Sequence, residues 1–146
     1  MRHGGQILID QLKIQGVDRV FCLPGESYLA ALDGLFESGI ETIIGRQEGG
    51  VAIMAAAHGK FAVTPGVAFV TRGPGATNAS AGVHIALQDS TPMILFVGQV
   101  ASDQRDREAF QEVDYRQMFA PLAKWVAEID RVDRIPEYIS RAFHMA

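Results

Sequence analysis

Three stretches of this chain place glycines and polar side chains where a strand gives way to a helix. The first is Thr71-Arg72-Gly73-Pro74-Gly75-Ala76-Thr77-Asn78. Glycines there let backbone approach a ligand closely, and a helix beginning there offers unpaired N–H donors. A dinucleotide loop would need a third glycine where Asn78 stands, and Pro74 stiffens the turn. A tight turn with no ligand fits the segment equally well. The second stretch is Gly45-Arg46-Gln47-Glu48-Gly49-Gly50, which sets a carboxylate before a run rich in Ala and Gly. A first-turn acid stabilised by the helix dipole is the bland reading. The small residues after it permit tight packing, and a carboxylate in such a place is poorly solvated, which changes its chemistry. The third, Ala109-Phe110-Gln111-Glu112-Val113-Asp114, mixes an aromatic, an amide and acids, and by itself reads as a solvated helix start.

Other reactive side chains form no constellation. His3, His58, His84 and His144 lack metal-ligand spacing, so no metal site is expected in this chain. Ser80 and Ser90 lack a nucleophile elbow. Cys22 sits in an apolar run and reads as a buried structural thiol. Arg105-Asp106-Arg107-Glu108 reads as a solvated loop or lid.

These turns need a scaffold, and the hydrophobic pattern supplies one. Helices are predicted over Gln6–Gln15, over a segment capped by Ser27 and ended by Gly39, and over Glu48–Ala62, Asn78–Gln88, Phe110–Phe119 and Ile135–Ala146. Strands are predicted over Val17–Leu23, Ile40–Ile44, Val67–Thr71, Met93–Val97 and Leu122–Ile129. Such alternation with short connections implies a parallel sheet covered on both faces, with ligands bound beyond the carboxyl ends of its strands. That rule selects the turns Leu23–Ser27, Gly45–Gly50 and Thr71–Asn78, together with the loop after Val97.

Composition narrows the setting. The chain has 146 residues, the size of one domain, and 48% are hydrophobic, enough for a core. The net charge of −4, with no basic stripe, argues against nucleic acid. No apolar run is long enough to span a bilayer, and the N-terminus does not read as a signal peptide. One cysteine fits a reducing cytoplasm. The sequence stops inside an apparent helix, and truncation is expected.

Taken in order, several segments resemble the pyrimidine-binding domain of the acetolactate synthase, pyruvate oxidase and decarboxylase superfamily. They are Gly16-Val17 leading to Val20-Phe21 and Pro24-Gly25, Arg46-Gln47-Glu48, Gly73-Pro74-Gly75-Ala76-Thr77-Asn78, Asp89-Ser90-Thr91-Pro92, Gly98-Gln99-Val100 and Phe110-Gln111-Glu112. The resemblance covers nearly the whole chain and implies a three-layer, flavodoxin-like α/β/α fold. It implies that Glu48 bonds N1′ of the thiamine diphosphate aminopyrimidine and favours its imino tautomer, whose 4′-nitrogen can take the thiazolium C2 proton. It further implies that Pro24, Gly25, Gly73, Gly75 and Asn78 line the pyrimidine pocket. Phe110 and Gln111 would face the reacting centre, and Lys124 and Ser27 would lie along the substrate channel.

Gln47-Glu48-Gly49 departs from the His-Glu-Gln usual in acetolactate synthases, and Glu26-Ser27 stands where small residues are usual. Both departures lie near the expected substrate mouth. The family's separate C-terminal domain, which holds the diphosphate and Mg²⁺, and its middle domain, which holds FAD in some members, have no counterpart in the 146 residues. The implied activity is 2-oxo acid decarboxylation followed by carboligation in a homodimer or homotetramer, with this chain alone inactive. A non-catalytic or regulatory domain that kept the fold, and a nucleotide-binding Rossmann module, are the alternatives. The missing third glycine counts against the last.

Overall fold

The computed structural model describes residues 2–62 and 64–146. Four parallel strands, β1 (Arg19–Cys22), β2 (Glu41–Ile44), β3 (Gly66–Val70) and β4 (Met93–Val97), form one sheet in the order β2-β1-β3-β4. Because every pairing is parallel, the turns after all four strands open on the same edge. The helices are α1 (Gly4–Ile14), α2 (Leu29–Leu35), α3 (Glu48–Ala62), α4 (Pro74–Gln88), α5 (Tyr115–Phe119) and α6 (Ile135–Met145).

Strand alternation divides the core in two. Val20, Cys22, Val67 and Phe69 point to one face and pack with Ile9 and Leu12 of α1, Ala31 and Leu35 of α2, and Ile135 and Ile139 of α6. Phe21, Ala68 and Val70 point to the other and pack with Val51, Ala52 and Ala55 of α3 and Ala79 of α4. Two such faces make the expected three-layer α/β/α sandwich around a parallel sheet. Both central strands, β1 and β3, are apolar on both sides, as a doubly covered sheet requires. The α3–α4 contact is close because its residues are small: a Cβ on Gly82 would stand 2.5 Å from the Cβ of Ala52.

Several sequence expectations are corrected. Leu122–Ile129 is not a strand. The sheet ends at β4, and the segment lines with β4 a cavity of about 660 Å³. Trp125 turns instead to α6, with Tyr138 at 6.2 Å and the Arg141 guanidinium 5.1 Å from its ring centre. Helix α4 starts at Pro74, four residues before Asn78, because a proline at the first helical position lacks only an N–H that has no helical partner. The helix placed over Phe110–Phe119 begins at Tyr115, where Asp114 Oδ1 accepts from Gln117 N. Gln111, at φ 62°, cannot continue a right-handed helix. Ser27 is not a helix cap: it lies in a short 3₁₀ turn, and α2 follows from Leu29 to Leu35, ending before Gly39. Among the described residues no helix is long and apolar enough to cross a membrane.

Candidate functional site

The site is built where the N-termini of α3 and α4 meet at the carboxyl edge of the sheet. Glu48 begins α3 and is 9% exposed, the one charged side chain in the interior among the described residues. Asn78, in the second turn of α4, donates from Nδ2 to Glu48 Oε2 at 2.9 Å. The close packing of the two helices makes this bond possible, since a Cβ on Gly49 would stand 3.1 Å from the Asn78 carbonyl. Oε1 points toward Gly75, at 3.4 Å from the place of its missing Cβ. A buried carboxylate at the positive end of a 15-residue helix is stabilised by that helix's dipole and by the Asn78 amide. One oxygen is thus anchored, and the other is turned toward the glycine-rich turn.

Thr71 organises that turn. Its Oγ1 hydrogen-bonds Ser27 Oγ at 2.8 Å, and Ser27 Oγ also accepts from Arg72 N at 3.0 Å. Cβ atoms placed on Gly25 and Gly75 would stand 2.5 Å from Thr71 Cβ and 2.8 Å from Thr71 Cγ2. The two glycines therefore let the turns after β1 and β3 close on one threonine. Gly73, at φ 59° and ψ −115°, takes a conformation that side chains resist. A Cβ there would also stand 2.7 Å from Gln111 Cβ.

The loop after β4 closes over this turn. Gly73 N donates to Tyr115 Oη at 2.7 Å. Burial pushes the Tyr115 hydroxyl above the ordinary phenol range, outweighing that hydrogen bond, so the group stays neutral. Arg72 reaches two turns at once, donating from Nε to the Phe110 carbonyl at 3.0 Å and from Nη2 to Glu26 Oε1 at 2.8 Å. Glu112 accepts from Asp106 N at 2.8 Å and from Ala109 N at 3.2 Å. These bonds, the one from Asp106 foremost, hold its carboxyl below the usual carboxylate range. Away from the site, burial raises the Cys22 thiol, and burial likewise raises Tyr28, whose hydroxyl donates to the Leu23 carbonyl.

Of the residues singled out in sequence, Glu48, Asn78, Gly75, Gly73 and Gly25 meet here, with exposed Pro24 in the same turn as Gly25. Gln111 lies against Gly73, and Phe110 is 70% exposed beside Arg72. Ser27 is a rivet between turns, also packed against Gly98. Lys124 does not join the group. Its Nζ donates to the Met145 carbonyl at the end of α6. With Ser27, Gly98 and Gln99 it lines instead the cavity beside β4. Thr71, Arg72 and Tyr115 carry the architecture and were assigned no role from sequence. Thr71 and Arg72 stood within the glycine segment, but nothing in the one-dimensional pattern marks Tyr115. No group of three or more metal-ligating side chains comes together among the described residues.

Comparison with known proteins points to the family that the sequence resembles. The family model described as thiamine pyrophosphate enzyme, N-terminal TPP binding domain, matches residues 2–118. An acetolactate synthase of Bacillus subtilis (strain 168) is 36% identical over 144 residues, covering 99% of this chain and 25% of the relative. The catabolic acetolactate synthase of Raoultella terrigena is 35% identical, over 99% of this chain and 26% of its own length. The isozyme 2 large subunit from Escherichia coli (strain K12) is 33% identical, again over 99% and 26%. The chain thus spans about a quarter of the length of the curated relatives it matches.

Proposed function

Because this chain belongs to the thiamine pyrophosphate enzymes, as their N-terminal TPP-binding domain, we propose that it is the pyrimidine-side domain of a longer 2-oxo acid decarboxylase and carboligase. The observation that carries this reading is the placement of Glu48. A buried carboxylate with one oxygen fixed by Asn78 and the other turned to a glycine-lined turn suits a protonated ring nitrogen. Thiamine diphosphate, when bound, supplies an electron sink for decarboxylation. The protein's part is to hold a proton at N1′: the negative charge on Glu48 favours it, and burial strengthens the interaction. Asn78 keeps the carboxylate in one rotamer. Phe110 and Gln111, at the rim over Gly73, exclude water from the reacting side and orient the 2-oxo acid.

Among the described residues there is no metal-ligating cluster, and in this reading the diphosphate and Mg²⁺ are held by another domain of the intact enzyme. FAD, if the intact enzyme has it, is also bound elsewhere. Ile53 and Phe61 on α3 and Ile85 on α4 are exposed apolar residues. They support pairing with a second copy in a homodimer or homotetramer. The buried free thiol of Cys22 suits a cytoplasmic protein. Two experiments test the reading. The intact enzyme, given thiamine diphosphate, Mg²⁺ and pyruvate, should release CO₂ and form acetolactate; failure to consume any 2-oxo acid overturns it. In calorimetry the 146-residue chain should bind thiamine diphosphate weakly at most, and tight Mg²⁺-dependent binding contradicts the division between domains.

A further inference from the structure

We propose that Arg72 is a positioning residue that holds the Phe110–Gln111 segment over the glycine turn, with Glu26 as its counter-charge. The proposal rests on the functional reading above for what that segment does. It rests on geometry for what holds it there.

The segment needs holding. Asp106, Glu108 and Gln111 all have positive φ, at 61°, 55° and 62°, a region that non-glycine residues rarely occupy. Phe110 is 70% exposed, so burial of its ring supplies little. What ties the segment to the domain is polar. The Arg72 side chain, only 15% exposed, gives its Nε–H to the Phe110 carbonyl at 3.0 Å and sets its guanidinium 5.9 Å from the Phe110 ring centre. Its Nη2 is held by Glu26 at 2.8 Å, from the turn after β1. One guanidinium thus joins the turn after β1, the turn after β3 and the loop after β4. The planar fork suits this task, because its donors leave in fixed directions from one rigid group. A lysine ammonium is a single point and cannot reach both acceptors with the same geometry.

Gln111 follows directly. Its Cβ and carbonyl lie against Gly73, where an added Cβ would stand 2.7 and 3.1 Å from them. Fixing the carbonyl of residue 110 therefore fixes the approach of Gln111 to the turn that carries Gly75 and, in the second turn of α4, Asn78. Tyr115 secures the other end of the segment through the Gly73 amide. Arg72 and Tyr115 act as two pins, one on each side of Gln111.

The test has one arm on this chain and one on the intact enzyme. Hydrogen exchange at the Asp106, Ala109 and Glu112 amides reports loop order, since each is hydrogen-bonded within the loop. Arg72→Met should raise exchange there on the order of tenfold, the value of one charge-assisted hydrogen bond, while the α3 and β3 amides stay protected. Arg72→Lys should fall between the two and serves if the methionine variant does not fold. In the intact enzyme Arg72→Met should lower kcat for the 2-oxo acid with KM for thiamine diphosphate unchanged, and Arg72→Lys should restore part of it. Wild-type loop exchange in both variants overturns the proposal. So does a loosened loop with unchanged kcat. In both cases the role of Glu48 stands or falls separately, on C2–H exchange of bound cofactor in Glu48→Gln.

Discussion

Gly75→Ala offers a quantitative test of how the glycine turn is built. The new Cβ would stand 2.8 Å from Thr71 Cγ2, 3.6 Å from Thr71 Cβ and 3.4 Å from Glu48 Oε1. Carbon atoms in good contact sit roughly 3.5–4.0 Å apart, so the methyl of Thr71 is the one serious clash. Thr71 cannot simply rotate away, because Oγ1 is bonded to Ser27 at 2.8 Å and turning χ1 breaks that bond. Overpacking of this kind costs about 1–3 kcal/mol. Alanine's better helix propensity returns up to about 1 kcal/mol, and less in a first turn. The net loss should be about 1–2 kcal/mol, read by urea denaturation, or a fall in Tm of roughly 2–8 °C. Thr71→Ser removes the offending methyl and keeps the hydroxyl. In the double variant the cost of Gly75→Ala should therefore nearly vanish, a coupling of about 1 kcal/mol or more. Gly25→Ala should not be rescued by the same change, because its Cβ meets Thr71 Cβ itself at 2.5 Å. Additive Gly75→Ala and Thr71→Ser effects would refute this account of the turn.

Three other outcomes follow from the same structure. Glu112 has a lowered folded-state pKa, so its contribution is fully present above the ordinary glutamate value of ~4.3 and is lost as pH falls through the lowered one. Amide protection in the 105–112 loop, taken relative to the intrinsic exchange rate at each pH, should fall over that acid window in the wild type, and Glu112→Gln should flatten the change. Cys22 is buried with a raised pKa. Its alkylation at neutral pH should therefore track unfolding, and fast labelling of the native chain would contradict the packing. Sedimentation should show the chain associating at high concentration through α3 and α4, and Phe61→Glu should weaken that association; a monomer at every accessible concentration counts against the subunit contact.

How much of this was legible in the sequence varies with the physics of each part. Glu48–Ala62 and Met93–Val97 have the predicted bounds, because small-residue helices and apolar strand runs carry their own signal. The carboxyl-edge rule picked out the turns that hold Glu48, Gly75 and Asn78, since parallel order follows from strand–helix alternation. The errors arose where tertiary contacts decide. Leu122–Ile129 has a strand's composition, but its Trp125 is drawn to Tyr138 and Arg141 on α6, and it makes no ladder with β4. Ser27 has a cap's composition, but Thr71 and the Arg72 amide, more than forty residues away, take its hydroxyl. Phe110–Asp114 lacks the helix expected of it because Glu112 turns its carboxylate back to the Asp106 and Ala109 amides. Arg72 and Tyr115 act across such distances too, and no local pattern announces them.

The most direct test of the central claim is C2–H exchange of bound thiamine diphosphate, followed by NMR in the intact enzyme with Glu48 and with Glu48→Gln. The amide keeps the size of the side chain and can still meet N1′, but it lacks the negative charge that favours a proton there. Cofactor affinity should fall little, while the exchange rate falls on the order of 10²–10⁴-fold, as acid–base contributions of this kind do. Were Glu48 only a helix-start acid, its loss would cost about 0.3–1 kcal/mol of stability and leave exchange untouched. A wild-type exchange rate in Glu48→Gln would contradict the assignment, whatever the melting temperature does.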